Sequence, residues 1–178
     1  MDRKKISFRV FLVIIPFLFF ISLESFLRLF DLFNPQSLFF EKKNNDFIQV
    51  NSDIGQRYFD SKKVPVPNMY PQKFSAIKNK NTFRIFCLGG STTAGFPYEM
   101  NVPFPQQLKF ILEDNYSEKK IEVINLGLSA INSFTILDWI PQILNHEPDL
   151  IIIYMGHNEY YGAYGVGSKI SFTNNGFL

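Results

Sequence analysis

A serine follows two glycines in the segment Leu88, Gly89, Gly90, Ser91, Thr92, Thr93, Ala94, Gly95. Glycines let a chain turn sharply, so a preceding strand would deliver the Ser91 hydroxyl to a sheet edge, with backbone N–H groups nearby to face an anion. Such a turn suits either phosphate binding or nucleophilic attack on a carbonyl. The phosphate reading fails, because no Lys follows the second glycine and the pattern G-x-G-x-x-G is absent. The G-x-S-x-G elbow fails as well, since Thr93 stands at its final glycine position. Two later segments also end in groups that could hold charge: Asn125 through Gly127 and Ala130 to Asn132, and then Gly156, His157, Asn158, Glu159. Taken singly, a Gly-Ser turn is usually only a turn, and an Asn after a strand usually only a helix cap.

Together and in this order, the three blocks resemble those of the SGNH/GDSL hydrolases, whose sequences carry G-D-S-x-x-x-G, then N-x-x-x-x-G, then G-x-N-D. Here they read Gly89-Gly90-Ser91 with Gly95 four residues on, Asn125 with Ala130 five residues on, and Gly156-His157-Asn158-Glu159. The resemblance spans about residues 83–162. It implies a three-layer α/β/α fold around a parallel sheet. It also implies a serine esterase or acyl hydrolase that acts on an ester or O-acetyl group of a small molecule or glycan, through an acyl-serine, without a cofactor. Residue by residue, it makes Ser91 the nucleophile, and the Ser91 N–H, the Ala130 N–H and the Asn158 side-chain amide the oxyanion donors. Such donors meet charge that develops only in the transition state, and losing one costs about 10²- to 10³-fold in rate. The sequence departs from the family at Gly90, Ala130 and Glu159. None of the three removes a required atom, and an alanine N–H serves as well as a glycine one if its dihedral angles are ordinary.

A serine hydroxyl also needs a histidine within reach, itself oriented by a carboxylate. The family draws both from a D-x-x-H block late in the domain, and no such block occurs here. Of the two histidines, His146 is expected at a helix end, interacting with the helix dipole, and His157 as pocket lining or a structural hydrogen-bonding group. The chain is therefore expected to be the front part of such a domain, with little activity by itself. A non-catalytic module holding an acyl or sugar ligand, and a membrane-tethered interaction scaffold, are the alternatives.

The elements that must position these blocks alternate. Residues 83–88, 121–125 and 150–154 are apolar strands, the last unbroken as in a sheet covered on both faces. Residues 105–116 and 133–145 have helical periodicity, the second with Pro141 as an expected kink. This β-α-β-α-β order predicts a parallel sheet with right-handed crossovers, and active sites of such sheets form at the carboxyl ends of the strands.

Ahead of that domain, residues 34–81 read as a connector, with Pro35, Pro65, Pro67 and Pro71 but no sustained period; its Phe47, Ile48, Tyr58, Phe59, Tyr70 and Phe74 suggest that it packs on the hydrolase-like domain. Residues 1–33 differ again. The stretch 6–23 is apolar but for Ser7, Arg9 and Ser22, nearly long enough to cross a bilayer, and Arg3, Lys4, Lys5 and Arg9 stand before its charge-free part. This predicts one transmembrane anchor with a cytoplasmic N-terminus and an exported remainder, uncleaved because no small-x-small site comes after it. The organisation expected is thus 1–33 anchor, 34–81 lead-in and 82–178 partial hydrolase domain. A net charge of +2 with scattered lysines argues against nucleic acid. One cysteine and two isolated histidines leave no disulfide or metal site to expect.

Overall fold

The computed structural model describes residues 3–29, 36–41, 46–98 and 103–169. The chain forms two compact units, Met1–Pro35 and Gln36–Leu178. The first holds helix α1 (Arg3–Leu29), which contains Pro16. From Leu12 to Phe26 its side chains are exposed, among them Leu12, Val13, Ile15, Phe17 and Phe20. The side chains of Arg3, Lys4, Lys5 and Arg9, on which the expected topology depends, lie outside the described residues. Among the described residues no helix is long and apolar enough to cross a membrane.

The second unit is a mixed α/β structure built on a parallel sheet. Its strands are β4 (Thr82–Gly89), β5 (Lys120–Gly127) and β6 (Leu150–Tyr154), in the order β5-β4-β6. The central strand β4 is apolar on both faces because both are covered: Phe86 and Leu88 on one side, Ile85 and Cys87 on the other, are all buried. Between β4 and β5 lie the short helix α2 (Ser91–Ala94) and helix α3 (Phe104–Asn115), the latter started by a proline in its first turn. Helix α4 (Ser133–Leu144) joins β5 to β6 and buries Ile136, Trp139 and Ile143, spaced to fall on one face. It continues through Pro141, whose side chain is exposed.

The lead-in is more regular than its sequence suggests. Strands β1 (Phe39–Glu41), β2 (Phe47–Val50) and β3 (Lys73–Ser75) form an antiparallel sheet, with a 3-10 turn at Ile54–Arg57. Alternation turns Ile48 and Val50 inward while Phe47 stays exposed. Phe39 and Phe74 meet the Phe86 ring edge to face, at 6.2 and 5.5 Å between centroids. One apolar cluster therefore runs from Leu38, Ile48 and Phe74 through Phe86 and Leu126 to Trp139 and Ile143. The lead-in and α4 share one face of the parallel sheet.

At the amino ends of the strands, register sets Arg84 opposite Glu122. The buried Arg84 guanidinium donates to the Glu122 carboxylate (2.9 Å), the His146 carbonyl (2.8 Å) and the Ser75 carbonyl (2.8 Å). Its backbone N–H donates to Asp149 (2.7 Å), and Lys120 donates to Glu122 at 2.8 Å. Burial would raise the Glu122 carboxyl, but hydrogen bonds involving Lys120, Ser75 and Arg84 hold it below its ordinary value. This cluster joins β3, β4, β5 and the α4–β6 turn.

Candidate functional site

The register that pairs Gly89 with both Gly127 and Tyr154 makes the three parallel strands end level. With the order β5-β4-β6, the chain reverses its winding direction between β4 and β6, which is where open sheets of this kind open a ligand crevice. Ser91 follows β4 and Asn158 follows β6, so the two stand at either side of that point.

Ser91 is the first residue of α2 and is half-buried. Its carbonyl accepts from the Gly95 and Phe96 N–H groups at 2.9 and 3.0 Å, which closes the turn. Three neighbours pin that turn to the sheet. The Asn125 side-chain amide donates to the Thr93 carbonyl (2.9 Å), and its oxygen accepts from the Gly127 N–H (2.8 Å). The Thr93 hydroxyl donates to the Tyr154 carbonyl at 3.4 Å. Beside it, the Leu128 N–H donates to the Gly89 carbonyl at 3.0 Å, joining the loop after β5 to the end of β4.

The Asn158 amide reaches the same place from β6. A Cβ built on Gly90 would stand 3.0 Å from Asn158 Nδ2, so the amide lies against the residue that precedes the serine. Glycine at position 90 leaves room for this approach. The Asn158 carbonyl accepts from the Tyr161 and Gly162 N–H groups, both at 3.0 Å. Gly162 is in turn wedged against Ala130 and Asn132: a Cβ there would meet the Ala130 carbonyl and the Asn132 N–H nitrogen, each at 2.9 Å. The three loops after β4, β5 and β6 thus form one packed edge.

Ala130 departs from the ordinary dihedrals expected of it. Its φ is 65°, in the left-handed region that favours glycine, the residue that the family resemblance places there. Glu159, a departure in the sequence, turns out to be the clamp of the edge: its carboxylate accepts from the Ser133 hydroxyl at 2.7 Å and from the Ser133 N–H at 3.2 Å, at the start of α4. The partners are 26 residues apart, so sequence spacing gave no signal of the contact.

The histidines separate. His146 lies just past α4 at the opposite edge of the sheet, where its carbonyl accepts from Arg84 and its ring stands edge to face with Phe39 (4.6 Å) and Phe74 (5.4 Å). Six residues of β4 and its turn, at about 3.3 Å each, lie between Arg84 and Ser91, which removes His146 from any role there. His157 is exposed at the correct edge, with its ring 5.8 Å from that of Tyr154. Among the described residues no carboxylate bonds to it. Cys87 is no rival nucleophile, because burial pushes its thiol up to about 12. Among the described residues no group of His, Cys, Asp and Glu could hold a metal ion.

No protein-family model matches the chain, and no curated protein matches it. Among solved structures, it is similar to AlinE4, a SGNH-hydrolase family esterase, and to a single-residue mutant of that esterase. For each the identity is 25% and the TM-score 0.38, over 46% of this chain and 43% of that one. The chain thus matches less than half the length of either solved esterase.

Proposed function

We propose that the chain carries the nucleophile and oxyanion groups of a serine ester hydrolase, acting on an ester or O-acetyl group. The observation that carries this reading is the Asn158 amide set against Gly90 beside Ser91, at the point where the winding of the sheet reverses. Ser91 Oγ attacks the carbonyl, the ester C–O bond breaks, and the alcohol departs with the proton given up by the hydroxyl, leaving the acyl-serine. The Asn158 amide and the Ser91 and Ala130 N–H groups receive the oxyanion, and water later releases the acid. Where base assistance is missing, positioning and oxyanion binding still leave roughly 10³- to 10⁴-fold over water in serine proteases.

The test is hydrolysis of p-nitrophenyl acetate by the 178-residue chain. Slow turnover is expected, abolished by Ser91→Ala, lowered about 10²- to 10³-fold by Asn158→Ala, and unchanged by His157→Ala. Turnover by the Ser91→Ala variant equal to that of the unmodified chain refutes the reading. The alternative, a ligand-binding module without catalysis, is favoured by one observation: among the described residues His157 has no carboxylate to orient it. A chain that binds acyl esters without turning them over would establish that alternative.

The second part of the proposal is location: a single-pass anchor within residues 1–33, with the N-terminus cytoplasmic and the α/β unit exported. It rests on the basic residues before an apolar run and on the lack of a cleavage pattern after it. A reporter enzyme fused after Phe40 should be active only outside the cytoplasm, and cytoplasmic activity overturns the topology.

A further inference from the structure

Away from Ser91, on the α4 side of the second unit, lies a cavity of about 320 Å³ that the ester chemistry does not use. That volume is at the lower end of the range for small-molecule sites. Its walls are of two kinds. Phe134 and Tyr164, with ring centroids 5.1 Å apart and nearly perpendicular, remain 52% and 43% exposed, so each offers ring surface at the cavity. Opposite in character is a charged group locked in place: Arg57 donates to the Asp138 carboxylate at 2.7 Å, and the Tyr58 hydroxyl donates to its other oxygen. Burial, and then the bond to Asp138, push the Tyr58 phenol above its ordinary range, so it stays a donor. Lys169 stands at the same cavity.

We propose that this cavity binds a carbohydrate ring. A pyranose has an apolar C–H face, which suits exposed aromatic surface, and an equatorial rim of hydroxyls, which suits a fixed carboxylate and guanidinium that can each accept or donate further bonds. An aliphatic ligand would leave the Arg57–Asp138 pair without new partners, and a simple anion would leave the rings uncovered. The pair is already held by protein contacts, so little ordering opposes binding. This site is separate from Ser91 and does not depend on the ester-hydrolase reading.

The chain has a single tryptophan, Trp139, and its ring centroid is 6.1 Å from that of Tyr58 in the cavity wall, which makes it a built-in reporter. The experiment is titration of the full chain, held in a detergent without sugar headgroups, with cellobiose, chitobiose and digalacturonate, following Trp139 fluorescence. A saturable change with at least one sugar is expected. Phe134→Ala, at an exposed position, and Asp138→Asn should each weaken it about tenfold or more, whereas Ser91→Ala leaves it intact. Circular dichroism of each variant distinguishes lost binding from lost folding. No saturable change with any of the three sugars overturns the proposal, and so does binding that a folded Phe134→Ala variant retains in full.

Discussion

Ala130 carries a methyl group in a backbone conformation where a Cβ crowds the neighbouring carbonyl, at a cost of about 1–2 kcal/mol. Its replacement by glycine removes that crowding but frees the unfolded chain, so Ala130→Gly should stabilise the protein by about 0.5–1 kcal/mol, read as a higher urea midpoint at unchanged slope. A lower midpoint would mean that the methyl makes packing contacts worth more than the strain. Residue identity at this edge was only partly legible. Ser91 and Asn158 could be singled out because each follows an apolar strand and chemistry selects their types. The left-handed turn at Ala130 could not, because its side chain disfavours the conformation that the surrounding loop imposes. Glu159 reads as an acidic departure from a motif, and only the packing of α4 beside the β6 loop shows it holding Ser133.

Among the elements, the parallel strands were legible as apolar runs, but the expectation that 150–154 is covered on both faces fails: β6 lies at the sheet edge with Leu150, Ile153 and Tyr154 exposed, and it is the central β4 that is buried on both faces. The lead-in sheet was not legible: strands of three or four residues are shorter than the window in which alternation can be told from chance. What ties that sheet to the domain includes a charge cluster at Arg84 and Glu122, again invisible until register sets them opposite each other. The Glu122 carboxyl titrates below its ordinary 4.5 in the folded protein, as does that of Asp149, where burial is outweighed by hydrogen bonds from Lys78 and Arg84. Both groups bind protons more readily in the unfolded chain, so their contribution to stability is complete above about pH 4.5 and is lost as pH falls through the lower folded values. Urea midpoints should therefore fall as the pH drops below about 4.5. Glu122→Gln should be less stable at pH 7, because it leaves Arg84 without its counter-charge, yet lose less on acidification. An equal acid loss in both proteins would show that the pair does not carry the dependence.

At the scale of the molecule, among the described residues the sheet is covered at one edge and open at the other. Next to β5, the Gln72 side chain imitates a neighbouring strand, its oxygen accepting from the Asn125 N–H at 3.0 Å and its nitrogen donating to the Asn125 carbonyl. Among the described residues nothing comparable shields β6, which pairs there only with β4 and shows Leu150, Ile153 and Tyr154 to solvent. A bare, apolar rim of this sort is a template. Two molecules that meet rim to rim, with their strands running in opposite directions, satisfy each other's outer N–H and C=O groups by a two-fold operation, and the contact closes. Purified second-unit material should thus be concentration-sensitive, sedimenting as a monomer when dilute and as a dimer when crowded. Ile153→Lys, which places a charge on the rim, should hold it monomeric at every concentration, while the same change at exposed Leu137 on α4 should leave the self-association as it was. The strand that leads into Asn158 is thus also the one that would seed precipitation when the protein is overproduced.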